Sequence, residues 1–337
     1  MPDKLSHYLE LALKARADLM DVQHGAALRL FAGFYEGGSY ESGYDLVADL
    51  YARTLVLFDH GKDELDGKAN LNLAQDFFLQ QLSWIDCVVQ KRRYAHEQVA
   101  RRGQITFGKT PAQQITENGV IYAVDLLMNQ DASFYLDTRN LRKWLLENTT
   151  GWQVLNTFAY TGSLGIAALA GGATRMIQTD RSKKFLSLAR KSAMLNRMDL
   201  GKMKLQATDF FNEVARLKHQ GTLFDCVILD PPFFSSTAKG TVDLVNQSTR
   251  LINKVRPLVK DGGWLVAINN ALFLSGQDHI QSLEALCQDG YLSLEQIIPV
   301  PEDITGFPAT IIGQPPTNPD PFNHPTKIVI LKVKRKT

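Results

Sequence analysis

Cysteine is scarce: 337 residues contain three, Cys87, Cys226 and Cys287, far apart and without a CxxC pair or a Cys/His cluster. That spacing argues against both a structural zinc site and a disulfide framework. An excess of one charge is also missing. Thirty-seven basic against 35 acidic residues leave a formal charge of +2, so any nucleic-acid contact has to come from local patches instead of a global field. No apolar run approaches the roughly 20 residues that span a bilayer. The first 20 residues are interrupted by Asp3, Lys4, Glu10, Lys14, Arg16 and Asp18, unlike the unbroken apolar core of a signal peptide. A cytoplasmic protein in a reducing compartment, with no membrane partner and no metal, is expected. What is present is a chain 45% hydrophobic and 21% charged, able to bury a large core and long enough for two domains.

From Trp152 onward, short apolar or β-branched runs (154–158, 176–179, 203–205, 226–229, 264–268) alternate with helical patterns (164–170, 183–196, 211–218, 242–259, 279–288). That alternation is the signature of βαβ units and a parallel sheet covered on both faces. Two later runs, 292–300 and 327–334, read as adjacent strands pairing antiparallel at the sheet edge. The predicted fold is α/β, a Rossmann-like doubly wound sheet, mostly parallel with an antiparallel edge strand, preceded by a smaller α+β domain. The domain limits are placed at 1–120 and 121–337. In the first part, helical patterns at 5–20 and 71–82 mix with extended ones at 54–58, 85–90 and 120–124, and Gly33, Gly37, Gly38 and Gly43 punctuate a turn-rich stretch near Tyr35 and Tyr40. The loop 299–325 holds eight of the 13 prolines. It should be stiff and irregular, and it reads equally as a connector and as a substrate-facing segment.

Three segments carry chemistry. Leu155 to Gly165 reads as a strand, a Gly-containing turn and a helix; Gly162 admits a ligand close to the backbone, and the helix N-terminus offers N–H groups to an anion. The turn is not GxGxxG, which weakens a dinucleotide reading, and taken alone it is as often ordinary punctuation. Asp180 follows the next strand, 18 residues after Gly162, near the spacing at which an acid meets a ribose hydroxyl in dinucleotide folds; the competing reading is a helix N-cap. Asp209 after the third strand is a weaker candidate for an adenine amino contact, with Phe210 packing on the ring. Asp230-Pro231-Pro232-Phe233-Phe234 closes the fourth strand at the carboxyl edge, where open α/β sheets bind ligands. The prolines stiffen the backbone and remove two donors, leaving carbonyls and the Asp230 carboxylate as acceptors and Phe233 to stack on a planar base. A rigid loop with a hydrophobic plug is the bland alternative.

Together these residues resemble class I S-adenosylmethionine-dependent methyltransferases. The segment 134–139 (Phe-Tyr-Leu-Asp-Thr-Arg), Phe158-Ala159-Tyr160-Thr161-Gly162, Gly171-Gly172-Ala173, Thr179-Asp180-Arg181-Ser182, Asn196 and Asp230-Pro231-Pro232 are similar to successive motifs of the large-subunit ribosomal RNA methyltransferase family, which includes cytosine-C5 enzymes and the guanine-N7 half of a bifunctional enzyme. The likeness is dense from about residue 120 to 270 and thins towards residue 26, where Gly33 to Gly43 replaces the family's acidic Gly-Leu-Pro-Gly-like segment. The resemblance implies S-adenosyl-L-methionine as cofactor, held by Phe158, Tyr160, Thr161, Gly162, Asp180, Asp209, Phe210 and Asp230, with Asp137 and Arg139 closing its methionine end.

The acceptor atom follows from what is missing. Cytosine C5 becomes nucleophilic only after a thiolate adds to C6. In the family that cysteine follows the fifth strand, where this chain reads Ala267-Ile268-Asn269-Asn270-Ala271. Guanine N7 already presents a lone pair and needs positioning alone, and Asn269-Asn270 resembles the pair found there in the N7 branch. Asn269 is therefore placed with Asp230, Pro231, Pro232 and Phe233 in the catalytic set, with strand-end capping as its competing role. An exocyclic amine ranks second and C5 third. RNA, probed by Lys91-Arg92-Arg93, Tyr94, His96, Arg101-Arg102 and the terminal Lys332, Lys334, Arg335 and Lys336, is the expected partner, although such runs are more often just solvated faces. The alternatives are a non-catalytic RNA-binding or ribosome-assembly factor with the same fold, and a small-molecule or protein methyltransferase.

Overall fold

The computed structural model describes residues 2–38, 43–237 and 240–335; Tyr40 and Lys336, both noted above, lie outside the described residues. The chain forms two compact units, Met1–Asp137 with Pro301–Pro315, and Thr138–Val300 with Pro316–Thr337. The division falls after Asp137, where the sequence placed it after residue 120. The reason is that 114–137 is tied to the first unit: Thr116 N–H donates to Gly25 O and the Tyr51 hydroxyl to Phe134 O.

In the first unit α1 (Pro2–Ala15) precedes β1 (Ala27–Ala32), the single turn α2 (Gly33–Glu36), β2 (Leu46–Tyr51), β3 (Thr54–Asp59), α3 (Glu64–Gln81), β4 (Cys87–Arg92), α4 (Gln98–Arg102) and β5 (Gln104–Phe107). The strands form one sheet in chain order, antiparallel except for β3 and β4. That parallel pair needs a crossover, which α3 supplies. Leu5 and Leu9 of α1 and Leu71 and Phe78 of α3 bury against Leu28, Leu30, Leu55 and Leu57, each worth about 1.5–3 kcal/mol of transfer energy. A separate hairpin, β6 (Gln114–Glu117) and β7 (Val120–Ala123), follows. The segment 301–315 is stitched into this unit. Arg16, fully buried, donates to both oxygens of Glu36 (2.9 and 3.0 Å) and to Asp303 O; Thr310 Oγ1 donates to Glu36, and Arg29 N–H to the Asp303 carboxylate.

The second unit runs α5 (Arg139–Asn148), β8 (Gln153–Thr157), α6 (Ser163–Ala170), β9 (Arg175–Asp180), α7 (Lys183–Leu195), β10 (Met203–Ala207), α8 (Phe210–His219), β11 (Phe224–Leu229), β12 (Phe234–Thr237), β13 (Gly240–Asp243), α9 (Ser248–Val255), β14 (Val259–Asn269), α10 (Gly276–Cys287), β15 (Leu292–Ile297) and β16 (Lys327–Val333). Seven strands line up as β10-β9-β8-β11-β14-β16-β15; β8 to β14 are parallel, and β16 runs antiparallel to both neighbours. This is the predicted mostly parallel sheet with its antiparallel edge. Strand alternation sorts the core: Leu155, Val227, Leu229, Leu265 and Leu331 face α8 and α9, whereas Val154, Cys226, Ile228, Val266 and Ile330 face α5 and α6. Strands buried on both faces read as continuous apolar runs, which is why the sequence reveals them.

The helical expectation at 242–259 is corrected. Val242 is a buried strand residue paired with Ser235, and the Asp243 carboxylate accepts the N–H of Val245 and Asn246, turning the chain before α9 starts at Ser248. A short hairpin after the diproline therefore replaces the first helical turns. Among the described residues no helix is long and apolar enough to cross a membrane.

Candidate active site

Because β8, β9, β10, β11 and β14 are parallel, the loops after them share one edge of the sheet, and the strand order reverses between β8 and β11. Ligands of open α/β sheets bind outside such a switch point. The predicted residues of the second unit converge here.

The loop after β8 is the most constrained stretch. Phe158 (φ +53°), Tyr160 (φ +50°) and Gly162 (φ +80°) all adopt left-handed conformations, which cost an aromatic residue on the order of 1–3 kcal/mol each. They are held by Ala159 N–H to Thr179 O (2.8 Å), Tyr160 N–H to Asp180 Oδ2 (2.9 Å) and Gly162 N–H to Ala159 O (2.7 Å). The Phe158 ring stacks on Phe210 at 4.5 Å, and Tyr160 meets the edge of Phe185 at 4.7 Å. Alternating left-handed residues make a concave turn at the strand tip, with the N–H groups of Ala159, Tyr160 and Gly162 used to fix its shape.

Gly162 and Gly165 are demanded by packing. A Cβ on Gly162 would sit 2.5 Å from Ala189 Cβ, and one on Gly165 2.3 Å from Gln178 Oε1. The Gln178 amide, fully buried, also accepts from Asn156 Nδ2 at 3.1 Å. Gly165→Ala is expected to destabilise the protein by about 1–3 kcal/mol through overpacking. The double variant with Gln178→Ala should recover part of that loss in urea denaturation; no recovery would show that the clash is not with Gln178.

Asp180 ends β9. Its oxygens accept the N–H of Tyr160 and Ser182 (2.9 Å each), which leaves further acceptor positions of a carboxylate open. Burial lifts its pKa, and the N–H groups of Ser182, Tyr160 and Arg181 pull it back. The N-cap of α7 is Ser182, whose hydroxyl takes the Phe185 N–H, so Asp180 is not needed for capping. Asp180→Ala removes an acceptor and releases the Tyr160 backbone; cofactor affinity is expected to fall about 10- to 100-fold, measured by calorimetric titration. An unchanged affinity would remove Asp180 from the site.

Two predicted contact residues also have partners inside the protein. Phe210, expected to lie on the adenine ring, is 4% exposed and has its face on Phe158, so it supports Phe158 from the core. Asp209 spends Oδ1 on the N-cap of α8, accepting from Phe211 N–H. Thr161 is buried in the same loop. Asp137 and Arg139, placed by resemblance at the methionine end, fall on either side of the division between units: Asp137 closes the first, Arg139 opens α5, and both are half-buried.

The corner after β11 has a half-buried Asp230, a buried Pro231 and an exposed Pro232, with Phe233 49% and Phe234 60% exposed. Asn269, expected to meet the base, is 1% exposed: Nδ2 donates to Leu244 O (3.1 Å), and Oδ1 accepts from Ala271 N–H (2.9 Å). Its amide shapes the loop after β14, so the capping role is the observed one, and Asn270 is the exposed member of the pair. No thiol stands at this edge among the described residues. Cys226 lies buried inside β11 with its pKa pushed up by burial, Cys287 is on α10, and Cys87 of the first unit is raised to about 11.

His279 gave no signal in the sequence beyond its place on the apolar face of α10. It is 1% exposed, neither ring nitrogen has a partner, and it lines a cavity with room for about one water beside Pro231, Ser248 and Asn269. Burial, then Lys327, push its pKa down to about 4 from 6.5. Between those values the unfolded chain takes up the extra proton, so stability falls as pH falls. The full loss is about 3 kcal/mol. His279→Leu should flatten this part of the slope in urea midpoints taken at neutral and acid pH. The remainder is assigned to His60 of the first unit, also lowered to about 4.

The basic runs are only partly surface. Lys91 is buried and donates to the carbonyls of Arg102, Asn129 and Asp131; Arg92 pairs with Glu64 and Asp59. Lys332 sits over the Trp264 ring at 3.5 Å, and Arg335 donates to Pro257 O and Val259 O, while Lys334 is exposed.

Residues 85–293, more than half of the chain, match the family model described as S-adenosylmethionine-dependent methyltransferase. YwbD of Bacillus subtilis is 29% identical over 282 residues, which cover 78% of this chain and 65% of YwbD. Ribosomal RNA large subunit methyltransferase I of Aeromonas salmonicida is 35% identical over 154 residues, 45% of this chain and 38% of that enzyme. The chain thus spans less than two thirds of the length of either relative. In fold it is similar to the crystal structure of SMU.776 complexed with SAH, with a TM-score of 0.81 at 20% identity, covering 98% of this chain and 82% of that one. The chain belongs to the S-adenosylmethionine-dependent methyltransferase family.

Proposed function

We propose that the chain transfers the methyl group of S-adenosylmethionine to a nitrogen of an unpaired ribosomal RNA base, with guanine N7 as the acceptor. One observation carries this reading: the tips of three adjacent strands, β9, β8 and β11, bring Asp180, the left-handed Phe158–Gly162 loop and the Asp230 corner to one switch point. The concave loop and the spare acceptor positions of Asp180 fit a nucleoside, and the stacked Phe158 offers an apolar wall for its base. The bound cofactor supplies an electrophilic methyl on a positively charged sulfur. The chain's own part is to hold the acceptor in line, exclude water and place the Asp230 carboxylate where the base gains positive charge, which favours the transition state electrostatically. Phe233, exposed beside that carboxylate, provides the stacking face. The ribosomal substrate is supported by the name of the Aeromonas relative.

Absence of a thiol at this edge disfavours cytosine C5. One observation favours an exocyclic amine as the second reading. The Asn269 amide is taken by Leu244 and Ala271, and the diproline brings carbonyl acceptors but no N–H to the corner, which suits an N–H donor. Incubating the full chain with labelled S-adenosylmethionine and an unmodified large-subunit RNA transcript, then digesting to nucleosides for mass analysis, decides the acceptor. Expected is 7-methylguanosine; an N-methyl exocyclic product selects the second reading, and 5-methylcytidine overturns both. Cofactor binding without methyl incorporation into RNA would favour the assembly-factor role, and transfer to protein or a small molecule would replace the RNA reading.

A further inference from the structure

In the first unit, the exposed stretch from Arg93 to Thr110 has no function in the site described above. Within it Ala100 is buried and Ala95 and Gly103 are half-buried; the rest are exposed. Its geometry is set by Lys91. The buried ammonium holds the last carbonyl of α4, at Arg102, to those of Asn129 and Asp131. Gly103 (φ +116°) then turns tightly into β5, a Cβ there lying 2.7 Å from Val89 Cγ1.

On β5, Ile105 and Thr106 point to opposite faces before a bulge shifts the register at Phe107. Thr106 Oγ1 donates to Gln75 of α3, so that face looks to the helix, whereas Ile105 pairs in register with Val89 on the opposite face. Gln90 bonds Gln75 as well, which confirms that Val89, Lys91 and Ile105 share the face away from α3. The end of α4 is held by Lys91 on that same face. Arg101 and Arg102 are therefore brought to the face that carries Ile105, 38% exposed; a bulge then sets Phe107, 44% exposed, opposite Val88 at the sheet edge, and Tyr94, 56% exposed, lies in the turn before α4. Among the described residues β5 pairs only with β4, which makes it an edge strand.

The charge of this face is one-sided. Arg93, Arg101, Arg102 and Lys109 are exposed, and none has a side-chain hydrogen bond or ion pair among the described residues; Glu97 is the one acid in the stretch. A chain with a formal charge of +2 thus concentrates unpaired cations around exposed rings. Cations without acids suit phosphates, and rings suit unpaired bases; a protein partner would call for acidic and apolar groups in a balance that this face lacks.

We propose that the α4–β5 edge of the first unit, with Arg93, Tyr94, Arg101, Arg102, Phe107 and Lys109, binds single-stranded RNA outside the methyl-transfer site. This rests on the RNA reading above and deepens it, by assigning the contact to a surface remote in sequence from the catalytic residues.

The test is fluorescence anisotropy of the full chain with a labelled single-stranded RNA over a salt series, alongside methyl transfer to the same RNA. The variant R93A/R101A/R102A/K109A should bind at least tenfold more weakly, with the slope of log affinity against log salt shallower by about 0.7 per contact removed. Tyr94→Ala with Phe107→Ala should weaken binding about 5- to 150-fold per ring with the slope unchanged. A control losing equal charge elsewhere, K14A/K68A/K143A/K191A, should change neither slope nor affinity by a comparable amount. Far-UV circular dichroism and cofactor affinity, both unchanged, confirm folding. Unchanged RNA affinity and slope in the first variant, or equal losses in the control, overturn the proposal and leave the enzymatic reading standing. Expected losses with no methyl transfer by the native chain would do the reverse. A native chain that binds no RNA overturns both.

Discussion

Asp230→Ala is expected to lower methyl transfer by about 10²- to 10³-fold, the effect typical of removing one preorganised electrostatic contact at a reacting centre. Cofactor affinity should change little, because Asp180 and the Phe158–Gly162 loop hold their places through bonds that do not involve Asp230. The local fold should survive too: Pro231 is buried and the hairpin that follows is tied by Leu244 N–H to Phe233 O. Single-turnover transfer rates and calorimetric titration with the demethylated product separate the two quantities. Asp230→Asn refines the reading. If the carboxylate acts by charge, the amide stays as slow as alanine; if it acts as an acceptor for an amine N–H, the amide oxygen retains part of the rate. A transfer rate within threefold of native for Asp230→Ala would remove the residue from the catalytic set.

Glu36→Ala should be the largest single loss of stability, about 3–5 kcal/mol, because it strands a fully buried arginine. Glu36 accepts from both nitrogens of Arg16, from Ala32 N–H and from the Thr310 hydroxyl, so four donors lose a partner at once. For a unit of this size the loss corresponds to a fall of roughly 10 °C in melting temperature. Because there are two units, the transition is expected to split, with the first unit melting early. Replacing both charges, Arg16→Met with Glu36→Leu, should recover much of the stability, since a buried pair exchanged for apolar side chains is often neutral. Hydrogen exchange provides the second readout: amides of 301–315, notably Ile312 and Gly313, which donate to Tyr35 O, should lose protection in Glu36→Ala. Full protection there would mean that the segment is held by something other than this network.

Much of the second unit was legible because its chemistry and its burial coincide in sequence. The inner parallel strands are buried on both faces, so runs such as 226–229 are unbroken apolar tracts, and the residues that matter stand at or just after their ends, Asp180 and Asp230 among them. The hairpin β12–β13 was illegible because Val242 and Val245 stand at a helical i, i+3 spacing, and only pairing with 234–237 makes Val242 strand. β1 and β2 were missed for a related reason: they follow or precede turn-rich glycines, and Arg29 and Asp49, which would mark a solvated face, are instead paired to each other at 2.8 Å. Asn269, Phe210 and Lys91 carried side chains of the expected type, but what a side chain bonds to is set by neighbours far away in the chain.

Residue order alone determined the succession of strands and helices in the second unit, the family likeness, and the placing of an acid or a glycine at consecutive strand ends, since all of these depend on local spacing and on which residues are apolar. Tertiary structure decided which of those groups remain free to act. It consumed Asn269, Lys91 and one oxygen of Asp209 in local bonds, assigned 301–315 to the first unit through Glu36, and left Asp180 with open acceptor positions and the Arg101 and Arg102 side chains without partners among the described residues. The physical reason is that a polar group is available only if folding brings no closer donor or acceptor to it, and that depends on contacts separated by tens to hundreds of residues.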